Sequence, residues 1–152
     1  MIIWVDADAC PVQIKEILFR AAERVQVEIV LVANHALRVP KSRFIKAKQV
    51  ESGFDVADAR ILGALSAGDL VVTADVPLAA QAVAAHAFAL NPRGTFYTAD
   101  NVQDHLARRN IMDALRSSGE RTRGPSVLSK TDIQAFANEL DKFLTRQRDA
   151  KP

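Results

Sequence analysis

Short apolar runs recur along the chain, at residues 2–5, 27–33, 70–74 and 88–90, and amphipathic stretches of helical period lie between them. Such runs are too short for helices and suit strands buried on both faces. Strands that alternate with helices imply a mostly parallel sheet with a helical layer on each side. The expectation is an α/β chain: one three-layer α/β/α domain spanning residues 1–152.

The remaining pattern refines this. Pro11 suits a first helical position, where its missing N–H costs nothing. Ile14, Ile17, Leu18, Ala21, Ala22 and Val25 then repeat with a 3.6-residue period, giving a helix to about residue 24. Residues 38–43 contain Pro40 and read as a loop. Residues 44–50 alternate apolar and basic side chains, as a half-exposed edge strand would. Gly53 precedes a helix over 56–66, and Pro77 restarts one that runs to about 85. Asn91-Pro92-Arg93-Gly94 is a turn, and 96–98 a further strand or hairpin piece. Helices over about 102–115 and 129–147 complete the domain, separated by a Ser-, Gly-, Arg- and Pro-rich flexible loop at 117–126. Ser129 with Asp132 resembles a capping box.

Composition excludes several classes. Among 152 residues Cys10 is the only cysteine, so neither a disulfide framework nor a Cys-rich zinc cage is available. No apolar run reaches the roughly 18 residues of a membrane span. The first residues enter a strand at once, without a basic region or cleavage site, so the expected place is the cytoplasm. The net charge of +2 does not by itself argue for nucleic acid. Its distribution is more informative. Arg38, Lys41, Arg43, Lys46 and Lys48 form an acid-free basic segment, and Arg108, Arg109, Arg116, Arg121 and Arg123 a second cluster. Such patches neutralise phosphates, or are simply solvated surface.

Five aspartates carry the chemistry. Asp6 and Asp8 follow the first apolar run, and Asp75 follows the run at 70–74. Asp55 and Asp58 open a helix. In a parallel sheet, strand ends and the starts of returning helices share one edge, so these acids should converge there. Asp69 precedes its strand and belongs to the opposite edge. Converging carboxylates repel unless a cation lies between them. Oxygen-only donors without a His or Cys cluster suit Mg²⁺ or Mn²⁺ rather than zinc. Structural roles compete with ligation: Asp55 suits an N-cap, Asp58 can complement the helix dipole, and Asp8 can cap the helix after Pro11. Asp6 and Asp75 have weaker structural reasons to be where they are. Cys10 reads as a small buried hydrophobe, His35 as a residue that can face the pocket, and Arg93 as either a turn residue or a phosphate ligand. No Gly-x-Gly-x-x-Gly or P-loop is present.

Three blocks taken in order, Val5-Asp6-Ala7-Asp8-Ala9-Cys10-Pro11, the segment 68–79 around Thr73-Ala74-Asp75, and Asn91-Pro92-Arg93-Gly94, resemble the YaiI/YqxD family of uncharacterised bacterial proteins. That resemblance implies a PIN-like domain of metal-dependent nuclease ancestry. The PIN pattern falls on Asp6, Asp58 and Thr73-Ala74-Asp75, while its last acid has only Asp100 or Asp104 as candidates. The implied chemistry is phosphodiester hydrolysis with Mg²⁺ or Mn²⁺ on Asp6, Asp8, Asp58 and Asp75, and with Asp6, Asp58 and Asp75 as catalytic acids. Nucleic acid, RNA in the first place, would lie on Arg38, Lys41, Arg43, Lys46 and Arg93. Two alternatives stand beside it. Asp6-Ala7-Asp8 also matches the Asp-x-Asp of haloacid-dehalogenase-like phosphatases, with Asp6 as nucleophile. A non-catalytic RNA-binding module is the other.

Overall fold

The computed structural model describes residues 1–53, 55–119 and 127–150. Residues 120–126, with Arg121, Arg123 and most of the expected flexible loop, lie outside the described residues. The elements are β1 (Ile2–Asp6), a 3₁₀ turn at Ala7–Ala9, α1 (Val12–Val25), β2 (Glu28–Ala33), β3 (Ile45–Gln49) and α2 (Val56–Ala64). They continue with β4 (Leu70–Val72), α3 (Val76–Ala84), β5 (Phe88–Leu90), β6 (Phe96–Tyr97), α4 (Val102–Ser117) and α5 (Lys130–Ala150).

One sheet has the order β3-β2-β1-β4-β5-β6. Every pairing is parallel except β5 with β6. The fold is therefore α/β with three layers and a mostly parallel sheet. Strand parity divides the core. Ile3, Val5, Ile29, Leu31, Leu70 and Val72 face the layer of α1 and α5, whose Ile14, Leu18, Phe136 and Leu140 close the first cluster. Trp4, Val30, Val32 and Val71 face the other way, onto Ile61 of α2 and Leu78, Ala79 and Ala82 of α3.

Direction along the strands positions everything else. At the amino edge, the Asp69 carboxylate accepts from Ile2 N, Trp4 Nε1 and Ser66 N, each at 3.0 Å. It ties the start of β1 to the turn before β4, as expected of an acid that precedes its strand. The Ser129–Asp132 pair is a true capping box: each side-chain oxygen accepts from the other residue's N–H at 3.1 Å.

The turn motif at 91–94 has a packing explanation. Gly94 has φ +92°, and a Cβ there would lie 2.7 Å from the carbonyl carbon of Ala135. Only glycine lets the turn press against α5. Beside it, Arg93 Nη1 lies 2.6 Å from Asp132 Oδ2.

Two expectations need correction. Pro11 is the N-cap rather than the first helical residue, because its ψ of 150° is extended. Strand β3 is not half-buried: only Ile45 is covered, and Lys46 to Gln49 are exposed whichever way they point. Helix α1 meets the strand at Ile45, and beyond that residue alternation has no buried face to report. Residues 96–97 form the expected further strand, paired antiparallel with β5.

Replacing Asp69 with Ala should destabilise the fold by about 3 kcal/mol, because it leaves the buried Trp4 Nε1–H without an acceptor and removes bonds to a charged group. Urea denaturation should show a lower midpoint at an unchanged slope.

Candidate metal and phosphate site

The sheet order reverses direction at β1, since β2 leaves it on one side and β4 on the other. The crevice beyond the carboxyl ends of β1 and β4 is therefore the topological switch point, where ligands of open α/β sheets bind. Asp6 ends β1 and Asp75 follows β4, so the crevice has an acid on each side.

Asp6 shares the parity of Trp4 and so faces the layer of α2 and α3. It is 9% exposed. Thr73 fixes it: Thr73 Oγ1 donates to Asp6 Oδ2 at 2.9 Å and itself accepts from Asp75 N at 2.9 Å. One side chain thus couples the end of β1 to the start of α3. Asp75 is the N-cap of α3, its Oδ1 accepting from Leu78 N at 2.9 Å. It has the structural reason that its sequence position did not suggest, and its carboxylate still faces the crevice.

Asp55 behaves in the opposite way. It occupies the N-cap position of α2 but makes no side-chain capping bond, and its backbone is left-handed at φ 60°. Its carboxylate instead joins those of Asp58 and Asp75, with one oxygen from each within 4.8 Å of the others. Asp58 lies one turn before Ile61, so the buried stripe of α2 carries it inward.

Electrostatics follow from this crowding. Burial, then the charges of Asp75, Asp6 and Asp55, and a hydrogen bond with Asp55 push the Asp58 carboxyl up to about 7. Burial also raises Asp6, assisted by the charges of Asp75 and Asp8 and opposed by the Thr73 hydrogen bond.

The acids line a cavity of about 240 Å³ whose walls include Leu62, Pro77, Gln81 and, from α4, Arg109. Arg109 is the one functional candidate here that sequence reasoning left within a general basic cluster.

Other candidates are placed elsewhere. Asp8 Oδ2 accepts from Asn34 N at 2.9 Å, and its Oδ1 lies 2.8 Å from His35 Nδ1. Asp8 therefore ties the turn after β1 to the end of β2 rather than capping α1, and it is not in the three-acid group. Asp100 and Asp104 are exposed and outside that group as well. Cys10 is buried, with its thiol pushed up to about 12 chiefly by that burial, which leaves it a packing residue.

The basic segment does not converge on the acids. From the carboxyl end of β2 the chain runs back so that Pro40 lies beside Arg20 and Arg24 of α1, and Arg43 beside Met1 and Glu28. Arg43, which stacks on Phe44, is thus at the amino edge. Lys46 is paired with Glu28 at 2.7 Å, and Arg93 with Asp132.

The chain belongs to the family described as "Uncharacterized BCR, YaiI/YqxD family", whose model matches residues 4–146. It is 62% identical over 148 residues to a "UPF0178 protein" of Janthinobacterium sp. (strain Marseille), covering 97% of this chain and 98% of the relative. Relatives bearing the same description in Hydrogenovibrio crunogenus and Shewanella amazonensis are each 59% identical over 146 residues. They cover 96% of this chain and 97% and 98% of their own lengths. No solved structure matches the chain at a significant level. Among the described residues, no helix is long and apolar enough to cross a membrane.

A carboxyl raised to about 7 in the fold and near 3.8 when unfolded binds a proton in the native state alone between those values. Stability must therefore fall as pH rises from about 4 to about 7. Asp58→Asn should remove that component. In chelator-containing buffer, its melting temperature should exceed that of the parent above pH 7 and converge with it near pH 4. Thermal melts across that range measure it.

Proposed function

We propose that this chain is a divalent-metal-dependent phosphodiesterase of the PIN-like class, acting on nucleic acid and on RNA in the first place. The observation that carries the reading is the meeting of Asp55, Asp58 and Asp75 within 4.8 Å at the switch point, with Asp6 alongside. The donor set fits Mg²⁺ or Mn²⁺: every donor is a carboxylate oxygen, and Asp58, pushed up to about 7 by burial and then by the charges of Asp75, Asp6 and Asp55, is a carboxyl whose ionised form a cation would favour.

Asp58 and Asp75 would hold the ion, with Asp55 added to the expected set and Asp6 held ready by Thr73. Asp8 belongs to it only if its ties to Asn34 and His35 are released. A divalent ion there supplies Lewis acidity, acidifying an attacking water and stabilising charge on the leaving oxygen. The protein's own contribution is arrangement. Thr73 fixes the Asp6 rotamer, α3 fixes Asp75 through its cap, and the left-handed Asp55 turns its carboxylate inward. A cavity of about 240 Å³ is small for engulfing a nucleotide and suits part of a longer backbone.

The phosphatase alternative has less support. Its general acid/base would be Asp8, whose two oxygens are taken by Asn34 and His35. Its nucleophile, Asp6, is buried and accepts from Thr73.

At about one hundred times its dissociation constant, Mn²⁺ should stabilise the protein by about 2.7 kcal/mol, roughly 5–10 °C in melting temperature. Asp58→Asn should abolish both this response and cleavage of single-stranded RNA while remaining folded. A melting temperature indifferent to millimolar Mn²⁺ would refute the reading. A trapped aspartyl-phosphate on Asp6 would replace it with the phosphatase.

A further inference from the structure

Helix α4 is amphipathic in an inverted sense. Its buried residue is Val102, at the start. At 100° per residue, the side that Val102 turns to the core continues through Leu106, Arg109, Asp113 and Arg116. The opposite side carries Ile111, 61% exposed, and Leu115, 39% exposed. Beyond Leu106 the side in phase with Val102 carries Arg109, Asp113 and Arg116, with half-buried Met112 at its margin, while Ile111 and Leu115 stand exposed on the opposite side with Arg108. The inward charges form a ladder: Asp113 is paired with Arg109 at 3.3 Å and with Arg116 one turn further on. Arg109 lines the acid cavity.

The geometry points to the inner side of α4 as the track for a single nucleic-acid strand, with Arg109 holding the phosphate at the acid cavity and Arg116 a flanking phosphate. The assignment rests on the acid cavity being the reacting centre.

Three features support it. Arg109 shares its cavity with the carboxylates, so a phosphate bound there would meet positive charge from both sides once a cation is held. Guanidinium groups match phosphate oxygens with two parallel hydrogen bonds. Arg109 and Arg116 are separated by seven residues, about 10 Å along the axis. A row of that kind follows one backbone and suits a polymer better than a monoester, which would need only the first arginine. The pairs with Asp113 are about half exposed, and exposed ion pairs are weak enough to exchange for phosphate. Asp113 therefore serves as a stand-in anion that keeps both arginines extended along the helix. The segment at 38–43 leads away to the other sheet edge and lies off this track.

Fluorescence anisotropy with a labelled oligouridylate, at several salt concentrations and with Mn²⁺ or chelator, tests the track. Arg109→Gln with Arg116→Gln should weaken binding by about tenfold or more at low salt. The same pair should reduce the salt slope by about 1.4, or 0.7 for each lost phosphate contact. Lys41→Gln with Arg43→Gln removes the same charge and should leave the slope unchanged. Asp113→Asn frees both arginines and should tighten binding severalfold, an effect that a merely structural ion pair would not give. Asp141→Asn on α5, which releases Arg24 of α1, is the matched control and should change nothing.

Mn²⁺-dependent melting, measured on the same variants, separates the two claims. If Mn²⁺ stabilises every variant but the arginine pair binds RNA as the parent does, the track is wrong and the metal reading stands. If the arginine pair loses binding while Mn²⁺ stabilises none of them, the track stands and the reading of the cavity as a reacting centre falls. Equal losses for the Lys41/Arg43 pair and the Arg109/Arg116 pair would also overturn the track.

Discussion

Strand β1 has a parallel neighbour on each side and a helical layer on each face, so polar groups at its two ends cannot rely on water. The two ends resolve this in opposite ways. At the amino end Asp69 is given three N–H donors, one of them the indole of Trp4. That is a carboxylate built into the scaffold. At the carboxyl end Asp6 has the Thr73 hydroxyl, and around it stand further acids rather than donors. A buried carboxylate supplied with donors holds a fold together, whereas one surrounded by carboxylates opposes it. The contrast between Asp69 and Asp6 separates scaffold from site on a single strand.

Thr73 carries more of the site than its size suggests. Its oxygen donates to Asp6 and accepts from the Asp75 amide, so the two sides of the crevice share one atom. A valine of the same shape would pack equally well and leave both acids unlinked. The Thr-x-Asp spacing at the end of β4 is thus a hydrogen-bonding requirement: the hydroxyl must reach across to β1 while the next turn begins α3.

Much of this was legible because the sheet is parallel and buried. Strand direction alone sends Asp6, Asp58 and Asp75 to one edge and Asp69 to the other, and the structure places all four accordingly. Local chemistry was less transparent. Asp55 and Asp75 both stand at helix starts, and residue type cannot say which of them caps. The answer depends on backbone: Asp75 is extended and reaches Leu78 N, whereas left-handed Asp55 cannot reach its own helix and turns to the other acids. Strand β3 misled because alternation reports burial only where something covers one face. The motif at 91–94 read as a turn with Arg93 open to a phosphate role, and its glycine forms a seat for α5 through a contact 41 residues later in sequence at Ala135.

The least legible element is α4, and the reason is physical. A helix read alone assigns its apolar side to the core, so Ile111 and Leu115 would point inward and Arg109 to solvent. Tertiary placement reverses this, because buried Val102 and the ring contact of His105 with Tyr97 set the phase at the start and a rigid helix carries that phase forward. The inner side then presents arginine where the body of the protein presents carboxylate. Across the cavity the charges are complementary but incomplete. Among the described residues Arg109 alone brings positive charge to the cavity of Asp55, Asp58 and Asp75, and it is already shared with Asp113. On the proposed reading a cation would join the acids and an anion the arginine, the charge pattern of a metal ion and a phosphate held side by side.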